Sequence, residues 1–153
     1  MDEQTPPVPA QGQQSAAPST ATRVREFFSP GAEILTPDYV TRPEARFLRS
    51  GIPFPFVIVA IPSYNEEQSL QRTIRSLREQ TRTPDEIVVI TDNCTDSTVD
   101  IARNEGVSVW ETQDNRDGKA GALNQFFSAF LGLLDDDDVV LVMDADTTLT
   151  DQF

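Results

Sequence analysis

An acidic pair near the end of the sequence, Asp144-Ala-Asp146, has the residue types and spacing that could hold a hard divalent cation. Residues two apart in an extended chain project to the same side, so one ion could contact both carboxylates. Mg²⁺ or Mn²⁺ would also accept water and phosphate oxygens, and such an ion would neutralise charge that develops on a leaving diphosphate. The alternative interpretation is an acidic turn after a strand, with no bound metal.

Three further residues have types suited to binding a nucleotide. Lys119 is the only lysine of the chain and lies in Gly118-Lys-Ala-Gly121, where the glycines would let the backbone approach an anion at the start of a helix. Asp92 could accept hydrogen bonds from a base or a ribose, and the ring of Tyr64 could stack on a base. The alternatives are a solvated loop lysine, an acidic turn residue and a half-buried surface tyrosine.

The elements that would position these residues alternate between strands and helices from Pro53 onwards. Short apolar runs, typical of strands buried on both faces, predict strands at Phe56–Ile61, Glu86–Thr91, Val107–Trp110 and Asp138–Met143. Apolar stripes at helical spacing predict intervening helices that begin near Asn65, near Asp96 or Ser97, and at Ala120. The order βαβαβαβ indicates a three-layer α/β fold with a Rossmann-like parallel sheet and right-handed crossovers.

A polar cluster follows each of the predicted strands. In parallel sheets, ligands bind beyond the carboxyl ends of the strands, where the strand order reverses. We therefore expect the clusters to meet at one edge of the sheet; they are residues 62–67, 92–96, 113–119 and 144–146. Asn65 and Glu66 could instead only start a helix. The acidic run Asp135–Asp138 precedes the fourth strand, which predicts a solvated turn at the opposite end of the sheet.

The first third of the sequence has a different composition. Ten of the eleven prolines lie at or before Pro62, and residues 1–22 contain almost nothing to bury, which predicts a disordered tail. Residues 23–52 predict an irregular arm or linker with a short helix at Pro43–Arg49. Residues 53–153 would then form one partial α/β domain that is incomplete at its C-terminus.

The composition excludes several classes of site and partner. The chain has no histidine, which excludes a Ser-His-Asp triad and a histidine-bound metal. Its single cysteine, Cys94, excludes an internal disulfide and a cysteine-based zinc site. The net charge of −13 argues against DNA, RNA or an anionic membrane surface as the main partner. A glycine-rich dinucleotide motif after the first strand and a P-loop sequence are both lacking.

The sequence also carries little sign of export or membrane insertion. The N-terminus, Met1-Asp-Glu3, is acidic and precedes no apolar segment, so it does not predict a secretory signal. The longest apolar run, Phe56–Ile61, has six residues and is too short to span a bilayer. We expect a cytoplasmic protein, and attachment to the inner face of the membrane would need sequence beyond this chain.

Over roughly residues 55–153, the motifs together resemble those of the family 2 glycosyltransferases, whose fold is of the GT-A type. The resemblance is carried by Val59-Ala-Ile-Pro-Ser-Tyr-Asn-Glu-Glu67, Ile90-Thr-Asp-Asn-Cys-Thr-Asp-Ser-Thr98, Gly118-Lys-Ala-Gly-Ala-Leu-Asn124 and Val142-Met-Asp-Ala-Asp146. Each motif alone is weak, whereas their order and spacing are specific. The resemblance implies a sugar transfer, usually with inversion, from a nucleoside diphosphate to an acceptor hydroxyl.

The resemblance further implies a set of residues that bind the nucleotide sugar, namely Pro62, Tyr64, Glu66, Asp92, Lys119 and Asp144. In that family Tyr64 would pack on the base, Asp92 would bond to the base, often uracil, and Lys119 would lie near the phosphates. Asp144 would face the ribose or the metal, and Asp146 would coordinate Mg²⁺ or Mn²⁺ bound to the diphosphate. The implied donor is a nucleoside diphosphate sugar such as a UDP-sugar, and the acceptor is unknown.

Two departures from the family pattern affect these expectations. Thr91 stands where the family often has a second acid, which weakens the inference about the base of the nucleotide. The family's catalytic base is a carboxylate well downstream of Asp146, and no residue of this chain matches it. We therefore expect the catalytic base beyond Phe153, the last residue of the sequence.

These departures predict an N-terminal fragment that lacks the acceptor site and is inactive alone. The alternatives are a non-catalytic nucleotide-binding module, an inactive remnant, or a nucleotidyltransferase. The last of these would be expected to carry a glycine-rich phosphate loop directly after the first strand, where this sequence has none.

Overall fold

A parallel sheet forms the centre of the fold in the computed structural model, which describes residues 18–28 and 55–150. The strands are β1 (Val57–Ser63), β2 (Glu86–Thr91), β3 (Ser108–Glu111) and β4 (Val139–Val142). The helices are α1 (Thr20–Phe28), α2 (Leu70–Arg78), α3 (Thr98–Asn104) and α4 (Gly118–Phe130), and a 3₁₀ turn at Leu131–Leu133 follows α4.

The strands are ordered β3-β2-β1-β4. All neighbours are parallel, with Ala60 of β1 opposite both Val88 of β2 and Val142 of β4. The chain therefore builds the sheet outwards from β1 in one direction and then returns to its other side, so the order reverses between β1 and β4. This arrangement confirms the predicted α/β fold with a Rossmann-like parallel sheet, and it places the expected ligand position at the ends of these two strands.

The sheet is covered on both faces, which explains its continuous apolar strands. Alternate residues of β1 point to opposite sides. Val59 and Ile61 pack with α2 and α3, whereas Ile58 and Ala60 pack with α1 and α4. All four of these β1 side chains are buried. The result is three layers with a separate apolar core on each side of the sheet.

The ends of the elements follow local signals, with small shifts from the predicted bounds. Strand β2 has the predicted bounds. Helix α2 begins at Leu70 and not near Asn65, because Asn65 adopts a φ of 53°, which is incompatible with a helix start. Gly106 has a φ of 66° and ends the turn after α3, as its position predicts.

Helix α1 is absent from the sequence-based description, and the predicted boundary between residues 22 and 23 falls inside it. Thr, Val and Phe are weak helix formers, so the segment gives little local signal. Its stability depends on tertiary packing, since Val24 and Phe28 are buried in the core with Phe130. The remainder of the predicted tail and arm, including the expected helix at Pro43–Arg49, lies outside the described residues.

The acidic run before β4 differs from the predicted solvated turn, because two of its members hold other parts of the chain. Asp138 accepts hydrogen bonds from the Phe56 backbone N–H at 3.0 Å and from the Thr20 hydroxyl at 2.7 Å. Asp135 pairs with Arg23 at 2.8 Å. Thr20 and Arg23 belong to α1, so this run fixes the helix whose position local sequence does not reveal. Among the described residues, no helix is both long and apolar enough to cross a membrane.

Candidate functional site

The loops that follow the four strands surround one cavity of about 540 Å³ at the carboxyl ends of the sheet. It lies at the predicted edge. Its lining comprises Pro62, Ser63, Tyr64, Glu66, Asp92, Asn93, Asn115, Arg116, Gly118, Lys119, Ala122, Asp144, Ala145 and Asp146. The structure thus brings together every residue predicted to bind a nucleotide sugar or a metal, although they are distant along the chain.

The predicted catalytic base differs from the other predicted site residues, because no residue of this chain is assigned to it. The sequence-based expectation places it beyond Phe153, whereas the structure describes the chain only as far as residue 150. Phe153 therefore lies outside the described residues, and the position of the base stays a prediction. Of the predicted site residues, the cavity brings together only those predicted to bind the donor and the metal.

The acidic motif is anchored through the residue between its two carboxylates. Ala145 is buried, and its carbonyl accepts a 2.7 Å hydrogen bond from the hydroxyl of Thr73 on α2. Met143 is also buried, and its N–H donates to the Ala60 carbonyl of β1 at 3.1 Å. With Ala145 held in the core, Asp144 and Asp146 are both exposed and both line the cavity.

The donor set of this motif suits a cation that also binds phosphate. Across residues 18–28 and 55–150, no cluster of three or more Asp, Glu, His or Cys side chains could hold a metal. A metal that requires an all-protein cage would therefore not fit among these residues. Mg²⁺ commonly takes one or two carboxylates and completes its shell with water and substrate phosphates. Asp144 and Asp146 fit that second kind of site.

Lys119 meets the acidic motif from the start of α4, where its ammonium group forms an ion pair with Asp144 Oδ1. The two side chains are 53% and 58% exposed, respectively. Exposed pairs of this kind stabilise a fold by only ~0–1 kcal/mol. The pair can therefore separate at little cost if an anion approaches Lys119 or a cation approaches Asp144.

Asp92 is buried, in contrast to the exposed side chains of Lys119 and Asp144, because it is only 8% exposed. Its Oδ1 accepts hydrogen bonds from the Thr112 hydroxyl at 2.7 Å and from Asn93 Nδ2 at 2.9 Å. Its Oδ2 accepts one from Asn115 Nδ2 at 2.8 Å. Burial of a carboxyl group is tolerated when it accepts several hydrogen bonds, so these donors satisfy the Asp92 side chain beside the cavity.

Tyr64 is 62% exposed at the mouth of the cavity, which makes it more accessible than the half-buried alternative supposed. Glu66 accepts a 2.7 Å hydrogen bond from the Ser69 hydroxyl, and Pro62 also lines the cavity. Asn65 is not among the cavity residues, and it bonds to Thr95 of the next loop instead. A flat aromatic face with the exposure of Tyr64 is available for stacking.

A second set of contacts joins the loops after β1 and β2. Asp96 accepts hydrogen bonds from the N–H groups of Glu67 and Thr98, at 3.1 and 3.0 Å. Desolvation raises the pKa of Asp96, but the hydrogen bonds from Thr98 and Glu67 outweigh it, so the pKa lies below its ordinary value. Asp96 is thus a structural carboxylate beside the site.

Sequence reasoning did not single out four of the polar cavity residues, namely Ser63, Asn93, Asn115 and Arg116. Asn93 and Asn115 contact residues distant in the sequence, and the only local signal for the four residues was that they lie in the predicted polar clusters. Gly121 was predicted to let the backbone approach an anion, but the structure gives this glycine a different purpose. A Cβ at Gly121 would overlap Asn115 Oδ1, so this glycine makes room for a side chain and not for a ligand.

Comparisons with known proteins agree with this geometry. The model of a family described as "Glycosyl transferase family 2" matches residues 58–153. A 4,4'-diaponeurosporenoate glycosyltransferase of Staphylococcus haemolyticus (strain JCSC1435) is 30% identical over 105 residues, which is 68% of this chain and 28% of that protein.

Two solved structures are similar at 26% identity. Glucosyl-3-phosphoglycerate synthase from Mycobacterium tuberculosis in complex with UDP has a TM-score of 0.50, with 61% of this chain and 34% of that chain covered. S. aureus TarS has a TM-score of 0.51, with coverage of 63% and 17%. The chain therefore spans at most 34% of the length of any of these three relatives.

Proposed function

The chain belongs to glycosyl transferase family 2, and we propose that its cavity binds a nucleoside diphosphate sugar as the donor for glycosyl transfer. The observation that carries this proposal is the convergence of Tyr64, Asp92, Lys119, Asp144 and Asp146 on one cavity at the carboxyl edge of the sheet. They supply a stacking face, an acceptor for a base, a cation and a pair of metal-binding acids, which are the groups that such a donor needs.

The roles follow the order of chemical groups in the donor. The base would stack on Tyr64 and donate a hydrogen bond to Asp92, with Pro62 and Glu66 lining the nucleotide. Lys119 lies at the N-terminus of α4, where charge and helix dipole both favour a diphosphate. UDP is the nucleotide bound in the M. tuberculosis synthase structure, which supports a UDP-sugar as the donor for this chain.

We propose that Asp144 and Asp146 hold Mg²⁺ or Mn²⁺ together with the diphosphate. When bound, such an ion supplies charge neutralisation for the leaving nucleoside diphosphate. The chain's own contribution to donor binding would be an exchange of the ion-pair partner of Lys119. Lys119, which pairs with Asp144, would turn to the diphosphate and release the Asp144 carboxylate for the metal or the ribose.

The transfer itself would be an attack by an acceptor hydroxyl on the anomeric carbon, with inversion. A general base must lie within hydrogen-bond reach of that hydroxyl, and none of the described residues matches the family's carboxylate base. We propose that the base and the acceptor site belong to sequence beyond Phe153. On this proposal the 153 residues bind the donor without transferring its sugar. We further propose that they do so in the cytoplasm, and that a longer form would act at the inner face of the membrane.

Titration calorimetry of the chain with UDP, with and without Mn²⁺, tests the donor site. We expect Mn²⁺-dependent binding that Asp146→Ala weakens at least about tenfold, because even indirect support of a metal ligand is commonly worth that much. Asp137→Ala is the matched control, since Asp137 is an exposed acid at the other end of β4 and should leave binding unchanged. Equal affinity with and without both Mn²⁺ and Asp146 would contradict the proposal.

A further inference from the structure

The carboxylate of Asp92 is nearly saturated by the protein itself. An ionised carboxylate offers about four acceptor positions, two on each oxygen. Thr112 and Asn93 occupy both positions of Oδ1, at 2.7 and 2.9 Å. Asn115 occupies one position of Oδ2 at 2.8 Å. Within the described residues, one acceptor position of Asp92 is left, and it lies on the oxygen that Asn115 orients.

We propose that Asn115 is a positioning residue that turns the last acceptor position of Asp92 towards the cavity, where it accepts a single N–H of the bound base. This inference rests on the proposed donor site and specifies how that site would select its base. Asn115 would act through Asp92, without needing to touch the nucleotide.

The contacts of Asn115 fix which end of its carboxamide faces Asp92. Its Oδ1 accepts the Asp117 N–H at 3.1 Å, and its Nδ2 also donates to the Gly118 carbonyl at 2.8 Å. A flipped amide would place its oxygen against two acceptors, the Asp92 carboxylate and the Gly118 carbonyl. The bare Cα of Gly121 gives this side chain its space. Asn115 therefore has one favourable orientation, in which it donates to Asp92.

A single remaining acceptor position favours one class of base. Uracil presents one ring N–H, at N3, between two carbonyl groups, so it needs one acceptor. The corresponding edge of guanine presents two adjacent donors, and the second would face a carboxylate oxygen already occupied by Thr112 and Asn93. A buried donor left unpaired is costly. With one acceptor position left, Asp92 thus fits an imide N–H and disfavours a two-donor edge.

The test compares the affinity of the full chain for UDP with its affinity for UDP methylated at N3, which cannot donate. In the wild-type chain, methylation should weaken binding about tenfold or more, the usual scale for a hydrogen bond to a charged group. In Asn115→Ala the ratio between the two ligands should fall to about threefold or less, whereas a merely structural loosening would weaken both ligands equally and keep the ratio. Asn104→Ala, a change of an exposed residue at the end of α3, should keep the wild-type ratio.

A second variant keeps the result clear if Asn115→Ala folds poorly. Gly121→Ala retains Asn115 but displaces its side chain, because the added Cβ would overlap Asn115 Oδ1, so it should lower the same ratio. Retention of the full ratio in both single variants would overturn the role of Asn115 while leaving the donor site intact. No binding of UDP to the wild-type chain with Mn²⁺ would overturn the donor site and this inference together.

Discussion

Carboxylates stand at both ends of the same sheet, and their partners differ. At the amino end, Asp85 accepts the Val57 N–H at 2.8 Å and Asp138 accepts the Phe56 N–H at 3.0 Å. At the carboxyl end, Asp144 pairs only with Lys119 among the described residues, and no hydrogen bond or ion pair joins the Asp146 side chain to any of them. Asp85 and Asp138 thus complete the backbone of β1, whereas Asp144 and Asp146 accept no backbone N–H among the described residues, as suits the proposed ligand-binding role.

The partners and exposure of a carboxylate therefore distinguish structural acids from candidate site acids within one fold. A carboxylate that accepts a backbone N–H satisfies a group that must be paired when buried, so its removal should cost stability. A carboxylate that is exposed and pairs only with an exposed lysine gives the fold little, so its removal should cost binding. Asp92 is intermediate, because it is buried and three of its acceptor positions are filled by side chains, which leaves one for a ligand in the proposed site.

The largest expected effect on stability comes from Asp138→Ala. The change removes the acceptor of the buried Phe56 N–H and of the Thr20 hydroxyl, so both β1 and α1 lose a contact. The Thr20 hydroxyl keeps its 2.9 Å hydrogen bond to Asp135. We expect the free energy of unfolding to fall by about 3 kcal/mol, since the change removes two hydrogen bonds to a carboxylate, each worth ~1.5–3 kcal/mol. Urea denaturation measures this change.

Asp146→Ala provides the comparison at the other end of the sheet, with an expected change in stability within about 0.5 kcal/mol, as for exposed positions generally. Equal losses of stability in Asp138→Ala and Asp146→Ala would mean that the two ends do not differ in the way their hydrogen bonds indicate.

A smaller change in stability is expected when Glu86, the first residue of β2 at the amino end of the sheet, is replaced. Burial raises its pKa from 4.5 to about 7, and the Ser108 hydroxyl and the Arg25 guanidinium only partly oppose this. The Ser108 hydroxyl has no hydrogen-bond partner of good geometry within the described residues, so burial is the decisive cause. The folded state therefore favours the protonated form of Glu86.

The sign of the pH dependence follows from this raised pKa. The stabilising contribution of protonated Glu86 is fully present below pH 4.5 and is lost as the pH rises through about 7. Glu86→Gln keeps the neutral form, so at pH 8 it should be more stable than the wild type by about 2 kcal/mol, with a smaller difference at pH 5. Glu79→Gln, at an exposed position, is the control; a Glu86→Gln effect that does not change between pH 5 and pH 8 would exclude titration of Glu86.

Much of the architecture could be predicted because its signals are local. The apolar run of β2 and the helix stop at Gly106 depend on neighbouring residues, and parallel topology then places every post-strand loop at one edge. Helix α1 could not be predicted, since Thr20 meets its partner Asp138 only across 118 positions. Asn115 was missed for the same reason, because its importance depends on Asp92 and Gly121, which the fold brings beside it.

The smallest expected changes in stability and affinity come from Thr73, whose buried hydrogen bond positions the exposed pair Asp144 and Asp146. Thr73 is fully buried on α2 and donates its hydroxyl to the Ala145 carbonyl at 2.7 Å, between Asp144 and Asp146. Thr73→Val keeps the shape but removes the donor, so stability should fall by about 1 kcal/mol and Mn²⁺-dependent UDP binding by a few-fold. Thr73→Ser retains the hydroxyl and should preserve more of the affinity than Thr73→Val. If calorimetry shows equal losses of affinity for both variants, packing of the Thr73 methyl group, and not its hydrogen bond, positions the acidic motif.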